Sequence, residues 1–179
     1  MSFADWTPFR VLPRGEFPLP PRSIHTPEGM GDRMRSAAFA ELQARDAFLW
    51  ASERFEDAPA ELRAAWAELS AVEHRHLEWI LRRMDQLGID VRGREVSEHL
   101  WVALQACTTA REFAHLIADA EEKGRRAGIR FYETLKTRDP ESSEIFRKIA
   151  EEEVDHVALA HRFYPREGVE IRPTPDAKA

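Results

Sequence analysis

Apolar residues recur at three- and four-residue steps through most of this chain, the spacing of one helical face. Met34, Ala37, Ala38, Glu41, Ala44, Phe48 and Ala51 form such a stripe, which predicts a first long helix from about Asp32 to Phe55. Asp57 and Pro59 read as the cap and first turn of a second helix. Its stripe is Leu62, Trp66, Leu69, Glu73, His76, Ile80, Met84 and Leu87, and Gly88 stops it. Residues 88–108 break the pattern: a loop, then a short helical piece around SEHLWVALQAC. Thr109 and Glu112 fit a capping box that opens a third long helix, with Ala114, Ile117, Ala118, Glu121, Gly128, Tyr132 and Leu135 on its inner face. Asp139-Pro140 opens a fourth, striped by Ile145, Ile149, Glu153, His156, Ala160 and Phe163.

Short connections join the first helix to the second and the third to the fourth, whereas residues 88–108 can return along the body. The expected fold is all-α, a ferritin-like four-helix bundle with a long crossover between helices two and three. Residues 31–164 form this bundle. Residues 1–30 carry six of the 11 prolines and are expected to be an extended arm. Trp6, Phe9, Val11, Leu12 and Phe17 are many apolar groups for a free tail, so the arm is expected to pack along the body. Residues 165–179 are expected to be an extended or disordered tail.

Composition narrows the class. A chain of 179 residues suits one domain with a substantial core. A charged content of 32% with only 8 glycines favours a helical protein outside the membrane. The net charge of −6 argues against nucleic acid as a partner. No apolar run reaches membrane length and MSFADWTPFR has no signal-type core, so a cytoplasmic location is expected. Cys107 is the only cysteine, which excludes an internal disulfide and a cysteine-based metal cluster. A homodimer is the default oligomer.

The stripes contain ionisable residues where apolar ones belong. Glu153 and His156, three apart, share a helix face and can reach one metal ion. Eighty positions earlier stand Glu73 and His76, and a lone inward acid precedes each pair by 32 positions, Glu41 and Glu121. Roughly one Glu-x-x-His is expected by chance at this composition, and Glu112-Phe113-Ala114-His115 is such a decoy. Its Glu112 points away from the face of Glu121. The six inward residues Glu41, Glu73, His76, Glu121, Glu153 and His156 are therefore the candidate metal ligands. Four carboxylates in one core layer would otherwise repel or hold protons. A one-residue change of register would exchange Glu121 for Glu122.

At these residues the chain resembles the ferritin-like carboxylate superfamily. Glu41, Gln43, Ala44 and Arg45 are similar to the first-helix motif of rubrerythrin-like proteins. The segments EEKG, EEVDHV and TPEGMGDRMRSAAFAELQA resemble an uncharacterised bacterial ferritin-like family related to tRNA-modifying di-iron hydroxylases. The likeness runs over about residues 27–163 and implies the same six ligands holding two iron ions, with a manganese or mixed manganese–iron pair as the alternative. It also implies that Glu152, just before the fourth-helix ligand, orients His76, a contact that Val72 cannot reproduce in the other half. The implied activity is that of a di-iron oxidoreductase, a hydroxylase or oxidase reacting with O₂ or peroxide and fed by an external electron donor. The alternative is iron handling of the ferroxidase kind without an organic substrate. Arg45 and Arg125 are expected to pair with Glu41 and Glu121 on the helix surface. The basic run Lys123, Arg125, Arg126, Arg130, Lys136 and Arg138 is expected to be a solvated face.

Overall fold

The structure, a computed structural model, describes residues 5–166. It is mostly helical: α1 (Pro27–Arg54), α2 (Ala60–Gln86), the short α3 (His99–Gln105), α4 (Ala110–Leu135) and α5 (Pro140–Phe163). Two two-residue strands, β1 (Arg10–Val11) and β2 (Glu95–Val96), pair in parallel. No helix among the described residues is long and apolar enough to cross a membrane. Residues 167–179, most of the expected tail, lie outside the described residues.

The helix boundaries follow from side chains that satisfy the first free backbone N–H groups. Thr26 caps α1 by accepting from Gly29 N at 3.0 Å, with Pro27 at the first helical position. The helix thus begins five residues before the expected Asp32, because a proline that has no N–H to lose starts a helix readily. Thr109 and Glu112 form the expected capping box of α4. Asp139 caps α5 by accepting from Ser142 N at 3.1 Å. The expected cap of α2 is different. Pro59 holds that position without a side-chain bond, and Asp57 instead accepts from Ala110 N at 3.0 Å, joining the start of α4 to the turn before α2. Gly88 ends α2 in the left-handed conformation, φ 67°.

Helix α1 packs along α2 and α4 along α5, while the two pairs meet more narrowly through α2 with α5 and α1 with α4. The interior contains two apolar clusters. One gathers Phe48, Phe55, Leu62, Trp66, Phe113 and Ile117. The other gathers Met34, Phe39, Ile80, Met84, Phe131 and Phe146. On every long helix the residues between these clusters are where the candidate ligands fall.

The N-terminal segment packs on the body through Trp6 and Phe9, whereas Phe17, expected to pack with them, is 70% exposed. Trp6 donates from its indole to Glu98 at 3.0 Å and meets Phe39 and Trp101 edge-on. The β1–β2 pair ties this arm to the 87–109 connection. The same connection is anchored by buried polar groups of α1: Gln43 accepts from Trp101 N at 3.0 Å, and Arg35 donates to Asp90 O and Val91 O at 2.6 and 2.9 Å. Asp32, 3% exposed, gathers Arg22, Arg35 and Arg94.

Candidate metal centre

All six expected ligands converge on the layer between the two apolar clusters. Glu73, His76, Glu121, Glu153 and His156 are buried, and Glu41 is nearly so. Their ligand atoms form two overlapping groups, Glu41–Glu73–His76–Glu153 and Glu73–Glu121–Glu153–His156, within each of which the atoms lie within 4.8 Å of one another. Glu73 and Glu153, one from each helix pair, belong to both. Glu122 does not join them: it accepts from Arg125 Nε at 2.6 Å and from Arg126. The decoy pair is absent from both groups, and Glu112 is spent on its capping box.

The donor atoms face one another without bonding one another. His156 Nδ1 stands 2.8 Å from Glu73 and 3.2 Å from Glu153. His76 Nδ1 is 3.4 Å from Glu153, 3.5 Å from Glu41 and 3.6 Å from Glu73. Yet both oxygens of Glu73, Glu153 Oε2 and both of these nitrogens are buried with no hydrogen-bond partner. Polar atoms left so in a protein interior normally have a partner. Four carboxylate charges match two divalent cations, and oxygen with imidazole nitrogen is a donor set suited to iron or manganese. The residues fit a metal site.

Protonation energetics carry the same signature of excess negative charge. Burial, and then the neighbouring carboxylates, push Glu41 and Glu121 well above the usual carboxylate range. Burial also works against the charge of Glu153, but the His156 and His76 imidazoles outweigh it and hold this carboxyl down at about 2. For His156, Glu153 and Glu73 overcome burial and push the ring up to about 10. His76 is raised as well, by Glu153, Glu41 and Glu73 against the effect of burial. Without a cation, the cluster stores protons to offset its carboxylates.

One contact orients the layer from outside. His76 Nε2 donates to Glu152 at 3.0 Å, the position anticipated for that acid, and Arg75 pairs with the same carboxylate. This keeps a proton on Nε2, so that Nδ1 is the nitrogen facing the cluster and the one that would coordinate a cation once its own proton is displaced. The two arginines four residues after the lone acids behave otherwise than expected. Arg45 pairs with Asp46 at 2.7 Å, and Arg125 is 5% exposed and paired with Glu122 rather than Glu121. The basic run of α4 reads in the sequence as a solvated face, and Arg125 departs from it by being buried.

A cavity of about 710 Å³ opens beside the cluster. Glu41, Glu121 and Glu153 reach it from one side, and Ala37, Ala40, Gly124, Ala127, Gly128 and Phe131 make much of the remaining wall. The small residues of α4 thus leave space where larger ones would have closed the narrow α1–α4 contact. At that volume it lies within the range of small-molecule sites.

Fold and site together define a mostly helical protein whose buried carboxylate–histidine cluster can hold a metal ion. The chain belongs to the DUF455 family, described as proteins of unknown function, which matches residues 9–171. No curated protein and no solved structure matches it.

Proposed function

We propose that this protein is a di-metal carboxylate oxidoreductase of the ferritin-like four-helix type, with two iron ions as its cofactor and O₂ or peroxide as its oxidant. The observation that carries the reading is the pair of overlapping donor groups with buried, unpartnered ligand atoms. Glu41 and His76 would hold one ion, Glu121 and His156 the other, with Glu73 and Glu153 common to both. The finer architecture that accompanies this reading is one bundle of the four long helices, with the 87–109 connection crossing its length.

When bound, such an ion pair supplies the electrons that reduce the oxidant. The residues of the chain do the rest. Glu152, held by Arg75, keeps the proton of His76 on Nε2 and leaves Nδ1 for coordination. The apolar clusters close the layer to water on two sides and leave the cavity as its opening. Glu41, the one partly exposed acid of the six, sits where the cavity meets the cluster and is the carboxylate best placed to change its mode of binding as a substrate enters. The cavity favours oxidation of an organic molecule over simple iron storage, because storage requires no apolar chamber beside the ions. Reducing equivalents would come from an external donor, since Cys107 alone cannot build a thiolate redox site.

Elemental analysis of the purified protein tests this, together with O₂ consumption by the reduced form. Two metal ions per chain, lost in Glu73→Ala and Glu153→Ala, are expected. Metal content unchanged in those variants would remove the assignment.

A further inference from the structure

The wall of the cavity beside the cluster includes a residue with an unsatisfied group that the metal reading does not use. Arg125 lines it and is 5% exposed. Its Nε and Nη2 donate to the two oxygens of Glu122 at 2.6 and 3.1 Å. Its Nη1 is buried and has no hydrogen-bond partner among the described residues. A guanidinium is planar and rigid, so a carboxylate gripping one edge fixes where the remaining nitrogen points. Glu122 balances the charge, but a buried guanidinium N–H without an acceptor is still costly, and an acceptor lodged in the cavity that displaced the side chains covering Nη1 would remove that cost.

The rest of the lining specifies that acceptor. Arg33, Lys123 and Arg130 also reach the cavity, whereas its carboxylates are only Glu41, Glu121 and Glu153 of the cluster. Arg33 spends its Nη1 on the backbone oxygens of Arg22 and Gly29 and pairs with no acid among the described residues. Away from the cluster the cavity is therefore apolar with a surplus of positive charge. On α4 Arg125 lies one turn beyond Glu121, and Phe131, Phe146 and Ile149 line the part further along.

We propose that the cavity binds an apolar organic carboxylate, its head group on Arg125 Nη1 and its hydrocarbon body against Phe131, Phe146 and Ile149. A carboxylate accepts from guanidinium better than a neutral oxygen does, and the neighbouring cations exclude an amine. The residue that holds the head group follows Glu121 by four positions, about 6 Å along the helix axis. As the substrate class of the oxidoreductase, this inference rests on the metal reading above; as a binding site it stands on Arg125 alone.

Titration calorimetry of the full-length protein with hexanoate, octanoate and decanoate tests it, with octanol and octylamine as neutral and cationic counterparts. The variants are Arg125→Gln, Arg125→Lys and Gly124→Leu, each also assayed for metal. A side chain at Gly124 meets nothing within 4 Å of its first carbon, so leucine there extends into the cavity without straining the helix. The expected result is one carboxylate site, weakened about tenfold or more in Arg125→Gln, partly restored in Arg125→Lys and closed in Gly124→Leu, all with wild-type metal content. Octanol binding as tightly as octanoate, an unchanged affinity in Arg125→Gln, or no binding of any carboxylate would overturn it. Metal-replete protein without a carboxylate site removes this inference alone. Octanoate bound through Arg125 by protein that takes up no metal removes the metal reading alone. If Arg125→Gln does not fold, Arg125→Lys and Gly124→Leu still decide.

Discussion

Glu152→Ala is expected to weaken one metal position and spare the other. The carboxylate of Glu152 accepts from His76 Nε2 at 3.0 Å, and burial, which raises its pKa, is outweighed by His76 and Arg75, which lower it. Partners of this kind behind a ligating imidazole are worth about ten- to a hundredfold in metal affinity. Glu152 is 36% exposed and shares its charge with Arg75, so solvent and the arginine screen part of its effect. The expected loss is therefore at the low end, about tenfold. It should fall on the position built by Glu41 and His76, because the matching place on α2 is Val72 and gives His156 no such support. Competitive titration of metal-free protein against a chelator resolves two sites. In the variant one equivalent of metal weakens while the other holds. Glu152→Gln, which keeps an acceptor oxygen without the charge, lies between. Equal weakening of both sites, or of neither, would refute the role assigned to Glu152.

Removing the metal should lower thermal stability: at about 100 times Kd a bound ion contributes about 2.7 kcal/mol, or roughly 5–10 °C for a domain of this size, read by calorimetry with and without chelator. Asp32→Asn should cost about 2–4 kcal/mol in denaturant unfolding at about pH 7, since it leaves Arg35 and its neighbours without their shared buried carboxylate. Arg22 first, with Arg94, depresses the Asp32 pKa, so its contribution is complete above the ordinary value of about 4 and is lost as pH falls towards the folded value; the gap between wild type and variant should therefore narrow at about pH 3. Two glycines of the helices should respond oppositely to alanine: Gly29→Ala drives a methyl into the Ser23 carbonyl and should cost about 2–3 kcal/mol, while Gly124→Ala meets open space and should gain up to about 1 kcal/mol.

Much of this was legible in the sequence because helices announce themselves twice, by periodicity and by caps. The Thr109–Glu112 box and the Asp139 cap act within four residues of chain, so local reading finds them. The six cluster residues were legible because two independent offsets, eighty and 32, agree with one helical face. What was missed is non-local. The β1–β2 pair joins segments eighty-five residues apart by two residues each, too short for an alternating pattern. Asp57 left its expected cap because the start of α4, fifty-three residues on, offered Ala110 N. Arg125 reads as one more surface charge on α4, and only tertiary packing makes it a buried group with an unpartnered nitrogen. Pro27 reads as one more proline of the arm, although its own position, after Thr26, is a helix start.

The placement of the acidic layer between two apolar clusters answers a physical difficulty. Four carboxylates cannot be buried by their own interactions, and a layer at one end of the helices would draw in water and fray. Here Phe48, Trp66 and Phe113 close it on one side and Met34, Ile80 and Phe146 on the other. The register of each helix is therefore set by apolar contacts on both sides of the acids it carries. A slip of one residue would turn a glutamate by about 100° and move large side chains of both clusters out of place at once. That coupling explains why the offset of 32 recurs in both helix pairs although the rest of the two halves shares little sequence. The spacing is a property of the layer, set by where the two cores leave room for it.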